Sequence, residues 1–237
     1  MKNRLKNLLF DLDIEPQPSE TTCGPTCLSG IFGYYELVKP LSEVIAQIPA
    51  LEEGGTLGVH LGTYALKHGF QVSIYSHNLQ VFDPSWFKLD DAGKAERLET
   101  QANGEKSIKT REASKAYSNF IQLGGKVEFR HLTPEFLYQA LLNHGPVICG
   151  LSATYLYQSK REIGETCKAD DLHGEPQGHF VVLTGISNDL KTVHISDPLG
   201  QNPFGGLHKY TTDTFKFINA ILIGVITYDA NLIAVYR

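Results

Sequence analysis

The chain has 237 residues, of which 42% are hydrophobic, and carries a formal net charge of −5 at pH 7. This length accommodates one large domain with a sizeable core. The mildly acidic balance gives no electrostatic basis for binding nucleic acid or an anionic membrane surface. The nine histidines and four cysteines form no closely spaced ligand pair of the structural-zinc type. We therefore expect no metal site and no cofactor.

Nothing in the sequence indicates secretion or membrane insertion. Residues 1–11 contain an apolar run of only three residues, closely followed by acidic residues, which does not resemble a signal peptide. The longest apolar run, residues 220–228, is too short to cross a bilayer. We expect a cytoplasmic protein without a membrane span, whose four cysteines are reduced thiols rather than a disulfide framework.

The segment QPSETTCGPTCL, residues 17–28, places a cysteine where a polar loop becomes an apolar-periodic helix. A threonine cap and Pro25 in the first turn predict a helix over about residues 23–36. Exposed N–H groups at a helix N-terminus favour thiolate over thiol, so Cys23 is a candidate nucleophile. Cys27, one turn later, is expected to be a small core residue rather than a redox partner.

Periodicity, caps and turn residues predict the remaining elements in chain order. Helices are expected over about 41–48, 57–68, 134–143 and 212–220, the first of them capped by Ser42. Strands are expected over about 70–75, 126–132, 147–151, 179–186, 192–196, 205–210, 221–228 and 232–236. Helices come first and antiparallel strands last, an order that indicates the α+β class.

Two polar segments interrupt this order. Residues 88–115 are dense in both charges and predict two helices split at 102–104. With their neighbours they form a charged helical insertion at about 83–125, a candidate surface for a partner protein. Residues 159–177 form a polar loop that leads directly to His179 and is a candidate gate over a site.

Two later motifs supply a histidine and an aspartate. The sequence GHFVVLTG puts His179 at the start of an apolar strand, and VHISDPLG puts Asp197 at the end of the next one. Adjacent antiparallel strands would bring the two together, so that the aspartate orients the imidazole. Gln17, six residues before Cys23, is a candidate side-chain donor to an oxyanion, with the Cys23 backbone N–H as the second donor. Weaker candidates for the base and the orienter are His173, His194, Asn188 and Asn202.

The order of these motifs resembles that of the bacteriocin-processing cysteine peptidase family. The resemblance covers residues 17–35, 61–72, 134–150 and 178–200. Members of this family are papain-like peptidase domains, often joined to peptide-exporting ABC transporters, that cut leader peptides after a double glycine. We expect no transporter half here, since no apolar run in the sequence is long enough to span a membrane.

The resemblance implies one papain-like domain over residues 1–237. Its N-terminal helical half would carry the nucleophile, and its C-terminal antiparallel sheet would carry the histidine and the aspartate. Carried over by position, it implies Cys23 as nucleophile, His179 as general base and acid, Asp197 as orienter and Gln17 as oxyanion donor.

Three hypotheses for function remain at this stage. The first is a cysteine peptidase that cleaves an amide bond in a peptide or peptide-like substrate. The second is an acyl or peptidyl transferase with the same triad, in which another amine or thiol replaces water. The third is a catalytically silent peptide-binding module of the same fold. The presence of all four candidate residues in one chain argues against this last hypothesis.

Overall fold

The computed structural model describes residues 5–51, 54–104 and 107–237. The first four residues, and Glu105 and Lys106 of the predicted insertion, lie outside the described residues. The helices are α1 (Cys23–Tyr34), α2 (Leu41–Gln47), α3 (Gly58–Lys67), α4 (Asp91–Gly104), α5 (Ile108–Gln122), α6 (Pro134–His144), α7 (Ala153–Tyr157) and α8 (Thr214–Ile223). The strands are β1 (Leu8–Leu9), β2 (Gln71–Ser76), β3 (Lys126–Glu128), β4 (Val147–Ser152), β5 (Glu162–Ile163), β6 (Lys168–Ala169), β7 (Gly178–Ile186), β8 (Thr192–Ser196), β9 (Lys209–Asp213) and β10 (Asn231–Tyr236).

One eight-stranded sheet organises the molecule. Its order is β3-β2-β10-β4-β7-β8-β9, and β1 pairs with β7. The pairs are antiparallel, with the exception of β2 and β3, which run parallel. The short strands β5 and β6 form a separate hairpin within the predicted polar loop. The α+β prediction with a large antiparallel sheet is therefore confirmed, and β2 and β3, which precede α6 in the chain, extend that sheet at one edge.

Apolar side chains pack against the sheet in two clusters. One cluster joins helices α1 to α5 to the sheet through fully buried side chains such as Phe32, Leu61 and Phe120. The other joins α6 and α8 through side chains such as Leu137 and Phe217. Burying a side chain of this size stabilises the fold by roughly 1.5–3 kcal/mol. Within the described ranges, no helix is long and apolar enough to cross a membrane.

The contact between α1 and β7 positions the candidate nucleophile. The Cys27 thiol donates to the Phe180 carbonyl oxygen at 3.2 Å, which fastens the first turn of α1 to the first residues of β7. Burial raises the pKa of Cys27 well above its ordinary value, so this thiol stays protonated and packs as a small core group. The N-terminus of α1 consequently lies beside the start of β7, where His179 is found.

The charged segment packs as part of the core. Helices α4 and α5 lie against each other, and α5 lies against α3. Buried apolar groups of both helices, Leu98 and Phe120 among them, belong to the same cluster as α1. Lys94 is also buried. Its ammonium donates to the Val127 carbonyl oxygen at 3.0 Å and pairs with Asp91 at 2.8 Å, and these two partners compensate the burial of its charge. The outer faces remain charged, but the inner faces form a structural layer.

Several predicted boundaries differ from the structure. The strand expected over 221–228 is wrong, since α8 continues to Ile223 and a 3-10 turn covers 224–227. A short apolar run is ambiguous between helix and strand, and here the helical spacing of Phe217, Ile218 and Ile221 buries one face. The strand expected over 205–210 begins only at Lys209, after a turn.

Two predicted helix caps are also wrong. Helix α2 begins after Pro40 rather than at a Ser42 cap, and no side chain caps it. Thr22 occupies the N-cap position of α1, but its hydroxyl bonds to the main chain of Ser19 instead of capping the helix. By contrast, Thr133 caps α6 through the Phe136 N–H, as the sequence predicts.

Candidate active site

Cys23 is the first residue of α1, at the end of the helix where backbone N–H groups lack intrahelical partners. Its side chain is 8% exposed. Pro25 contributes no N–H in the first turn, so the free donors at this end belong to Cys23 and Gly24. An anion at Cys23, or an oxyanion formed beside it, would therefore lie close to favourable partial charge.

His179 lies between Cys23 and Asp197. Its Nε2 donates to Asp197 Oδ1 at 2.9 Å, and both side chains are buried. Cys23 is close enough to this imidazole to raise the pKa of His179, and Nδ1 is the nitrogen that the bond to Asp197 leaves available. The structure thus brings together three of the four residues that the sequence singled out.

The pairing follows from the register of two strands. Strand β7 pairs with β8 so that Val182 lies opposite Ser196, which puts Asp197 just past the end of β8 and near the start of β7. The Asp197 N–H donates to the His208 carbonyl oxygen at 2.8 Å, and His208 Nδ1 donates back to the Asp197 carbonyl oxygen at 2.7 Å. The backbone of the aspartate is therefore fixed on both sides.

The Asp197 carboxylate is fully buried and accepts hydrogen bonds from four donors. Oδ1 accepts from His179 and from the Leu199 N–H at 2.9 Å. Oδ2 accepts from the Tyr157 hydroxyl at 2.7 Å and from the Tyr210 hydroxyl at 2.6 Å. Burying a charge costs several kcal/mol unless such partners compensate it. The two tyrosines complete the set of partners, and the sequence analysis missed both.

The charges of this group depend on one another. Burial lowers the pKa of His179, but the Asp197 carboxylate and Cys23 outweigh burial and raise it to about 10. Burial would raise the pKa of Asp197, but His179, Tyr210 and the Leu199 N–H hold it below its ordinary value. Burial and the adjacent carboxylate raise the pKa of both tyrosines, which therefore remain hydroxyl donors. At neutral pH the site holds an imidazolium beside a carboxylate.

Gln17 lies at the edge of this group. Its N–H donates to the Pro198 carbonyl oxygen at 2.9 Å, which joins the N-terminal segment to the turn after Asp197. Its Nε2 donates to the Ser19 carbonyl oxygen at 3.0 Å, and one amide hydrogen remains for another acceptor. Its Oε1 is buried without a partner among the described residues. The interactions found for Gln17 are with these two residues, and none is with Cys23.

The weaker candidates lie elsewhere. The His173 side chain is 79% exposed and lies near Asp170 in the loop before β7. His194 lies in β8 opposite Gly185 and Thr211, several residues from the Asp197 end of the strand. The remaining two residues have structural roles. The Asn188 backbone N–H donates to the Asn7 side-chain Oδ1, and the Asn202 side-chain amide donates to the Leu199 and Leu207 carbonyl oxygens and fixes that turn.

Comparisons with known proteins identify the family of this chain. A family model described as the Peptidase_C39 like family matches residues 10–220. The solved structures that match include a double glycine motif protease from an AMS/PCAT transporter, in complex with the leader peptide. It is 12% identical, with 98% of this chain and 97% of that chain covered and a TM-score of 0.43. No curated protein matched. Since the family model spans most of the chain, the protein belongs to the Peptidase_C39-like family and is a cysteine peptidase.

Proposed function

We propose that the protein cleaves an amide bond in a peptide substrate through Cys23, His179 and Asp197. One observation carries the proposal: a buried imidazole bonds to a fully buried carboxylate, and Cys23, at the start of α1, is close enough to raise the pKa of the same imidazole. The imidazolium is the group that would hold Cys23 as thiolate, and thiolate is the nucleophilic form.

In the proposed reaction the Cys23 sulfur attacks the carbonyl carbon and forms a C–S bond. His179 gives its proton to the leaving nitrogen as the C–N bond breaks, and the amine departs. Water then attacks the thioester while His179 takes up its proton. The acid leaves, and the thiolate and imidazolium are restored. Asp197 does not exchange a proton and instead keeps Nε2 protonated and stabilises the imidazolium.

The developing oxyanion would lie at the N-terminus of α1. The N–H of Cys23 is one donor there, and the free amide hydrogen of Gln17 is the proposed second. Each such donor contributes about 3 kcal/mol to lowering the barrier. Gln17 bonds to Ser19 in the free protein, so we propose that substrate binding turns its remaining hydrogen toward the carbonyl.

Alkylation by iodoacetamide tests the thiolate–imidazolium pair without knowledge of the substrate. Mass spectrometry locates the modified cysteine. Because the imidazolium of His179 would hold the Cys23 sulfur as thiolate, we expect iodoacetamide to modify Cys23 selectively at pH 6. His179→Ala should lower the rate at pH 6 at least tenfold, and Cys23→Ala should abolish both this labelling and peptide cleavage.

His173→Ala is the matched control, because it removes an exposed imidazole from the loop that leads to the site. It should leave the labelling of Cys23 unchanged. The mechanism would be contradicted if His179→Ala labelled like the wild type, or if cleavage survived the loss of Cys23. Products separate hydrolysis from transfer, since only transfer joins the acyl group to an added amine.

A further inference from the structure

A second buried carboxylate, Asp229, lies beside His179. Asp229 is 8% exposed. A Cβ placed on Gly178, the residue before His179, would collide with Asp229 Oδ2, so the absence of a side chain there makes room for the carboxylate. His179 also acts electrostatically on Asp229. The mechanism proposed above gives this group no part.

The backbone around Asp229 is held in an unfavourable conformation. Tyr228 and Ala230, on either side of it, both have positive φ values, 66° and 50°, although neither is glycine. Such residues cost of order 1–3 kcal/mol each and cluster at functional sites. The Tyr228 hydroxyl bonds to Thr110 at 2.8 Å, which ties this loop to the start of α5.

Asp229 has few partners for a buried charge. Within the described part of the chain its carboxylate accepts one hydrogen bond, from the Thr227 hydroxyl at 2.7 Å, and forms no ion pair. The nearest lysine, Lys109, lies with its ammonium 4.8 Å from the centre of the Tyr228 ring. Burial raises the pKa of Asp229 to about 7, although Thr227, Lys109 and His179 act in the opposite direction.

A second acceptor lies next to it. Asn231 is 1% exposed, and its Oδ1 has no partner among the described residues. Its amide is oriented by the bond that Nδ2 donates to the Asp229 carbonyl oxygen at 2.9 Å. An ideal Cβ on Gly150 would lie 3.0 Å from Asn231 Oδ1 and 3.2 Å from Asp229 Cβ, so both side chains pack against this glycine.

We propose that Asp229 and Asn231 recognise a primary ammonium group that the peptide substrate carries close to the scissile amide. The proposal rests on the function proposed above, since it places this recognition site beside the catalytic imidazole. The ammonium comes either from the N-terminal α-amine of the substrate or from a lysine side chain.

The chemistry of the two acceptors selects a primary ammonium. It is compact and has three donors, which suits two acceptors on separate side chains. A guanidinium is a planar fork that fits the two parallel acceptors of one carboxylate, so it matches two acceptors on separate side chains less well. The Asp229 carboxylate would also offset the repulsion between the substrate cation and the His179 imidazolium.

Two methanethiosulfonate reagents with the same three-carbon chain test the proposal, with Cys23 as the reporter. The Cys23 thiolate attacks the sulfenyl sulfur, a disulfide forms, and methanesulfinate leaves with the electron pair. The 3-aminopropyl reagent presents an ammonium and the propyl reagent presents a methyl group. Rates at Cys23 are measured at pH 8 by mass spectrometry. We expect the ratio of the two rates to fall at least tenfold in Asp229→Asn.

Glu96→Gln removes the same charge from the exposed side of α4 and is the matched control. It should leave the ratio unchanged, and thermal melting checks that both variants are folded. A ratio that stays within twofold in Asp229→Asn would overturn the ammonium site. If Cys23 reacts with neither reagent in the wild type, the proposed function itself fails.

A measurement on the wild type needs no variant and separates the two sources of the ammonium. Three peptides compete with labelling by the propyl reagent: Ala-Gly-Gly amide, N-acetyl-Lys-Gly-Gly amide and N-acetyl-Ala-Gly-Gly amide. Protection by the first alone identifies the α-amine, and protection by the second alone identifies lysine. Equal protection by the uncharged third peptide, or protection by none, contradicts the proposal.

Discussion

The two tyrosines that bond to Asp197 offer a quantitative test of the site. Tyr157→Phe or Tyr210→Phe removes one of the two donors to Oδ2 and leaves the aromatic ring in place. A hydrogen bond to a charged group contributes about 1.5–3 kcal/mol to stability. Each single variant should therefore lower the free energy of unfolding by about 2 kcal/mol. The double variant leaves Oδ2 with no donor inside a fully buried site, so its loss should exceed the sum of the single losses.

Urea unfolding of the wild type, both single variants and the double variant forms a double-mutant cycle. Tyr155→Phe is the matched control, because the Tyr155 hydroxyl makes only a long, exposed contact to Asn219 at 3.5 Å. It should change stability by less than about 0.5 kcal/mol. A second measurement, iodoacetamide labelling of Cys23 across pH, distinguishes positioning from packing. If the tyrosines keep Asp197 ionised, labelling of the double variant at pH 6 should fall relative to pH 9, because a weaker imidazolium holds less Cys23 as thiolate at the lower pH.

Two outcomes would refute this reasoning. Single losses below about 0.5 kcal/mol would mean that the hydroxyls do not compensate the buried charge. Additive losses with an unchanged pH profile would mean that the tyrosines contribute packing alone and have no influence on the imidazolium of His179.

Two further predictions concern the two carboxylates. Asp197→Asn should lower the labelling rate of Cys23 on the order of 100-fold, because an amide keeps the shape of the carboxylate but not its charge. This loss is smaller than the complete loss in Cys23→Ala. An unchanged rate would exclude Asp197 as the orienter. Burial raises the pKa of Asp229 from 3.8 to about 7, against the effects of Lys109 and His179. As the pH rises, the unfolded chain therefore releases this proton before the folded protein does, and the stability of the fold decreases between about pH 4 and about pH 7. Between pH 5 and pH 8 the wild type should lose about 3 kcal/mol relative to Asp229→Asn in urea unfolding, and a pH-independent difference would show that Asp229 titrates normally.

The sequence predicts the parts of the site that depend on local pattern and strand order. Cys23 at a helix start follows from the Pro25 context, and the meeting of His179 and Asp197 follows from two consecutive strands that pair antiparallel. Both features depend only on elements that are adjacent in the sequence. The partition of the polar insertion into two helices is predictable for the same reason, since Ser107 caps α5 just after the expected break.

The sequence could not predict the partners that come from distant segments. Tyr157 precedes Asp197 by 40 residues and Tyr210 follows it by 13. Tyr157 ends a five-residue helix that has no periodic signal, and Tyr210 lies in a strand that begins later than its sequence indicates. Asp229 follows a segment, residues 221–228, that is wrongly predicted to be a strand. The left-handed conformation of Tyr228 and Ala230, on either side of it, could not be predicted because neither residue is glycine.

The two carboxylates beside His179 differ in one physical respect, the number of donors that the fold supplies. Asp197 receives four, and its pKa is lowered even though burial opposes this. Asp229 receives one, and burial raises its pKa. Neighbouring acids with pKa values displaced in opposite directions commonly have separate functions in an active site. A carboxylate whose lone pairs are already occupied has little capacity to bind a cation, so Asp197 is suited to hold the imidazolium permanently. Asp229 keeps its accepting capacity, which the proposed substrate ammonium would use.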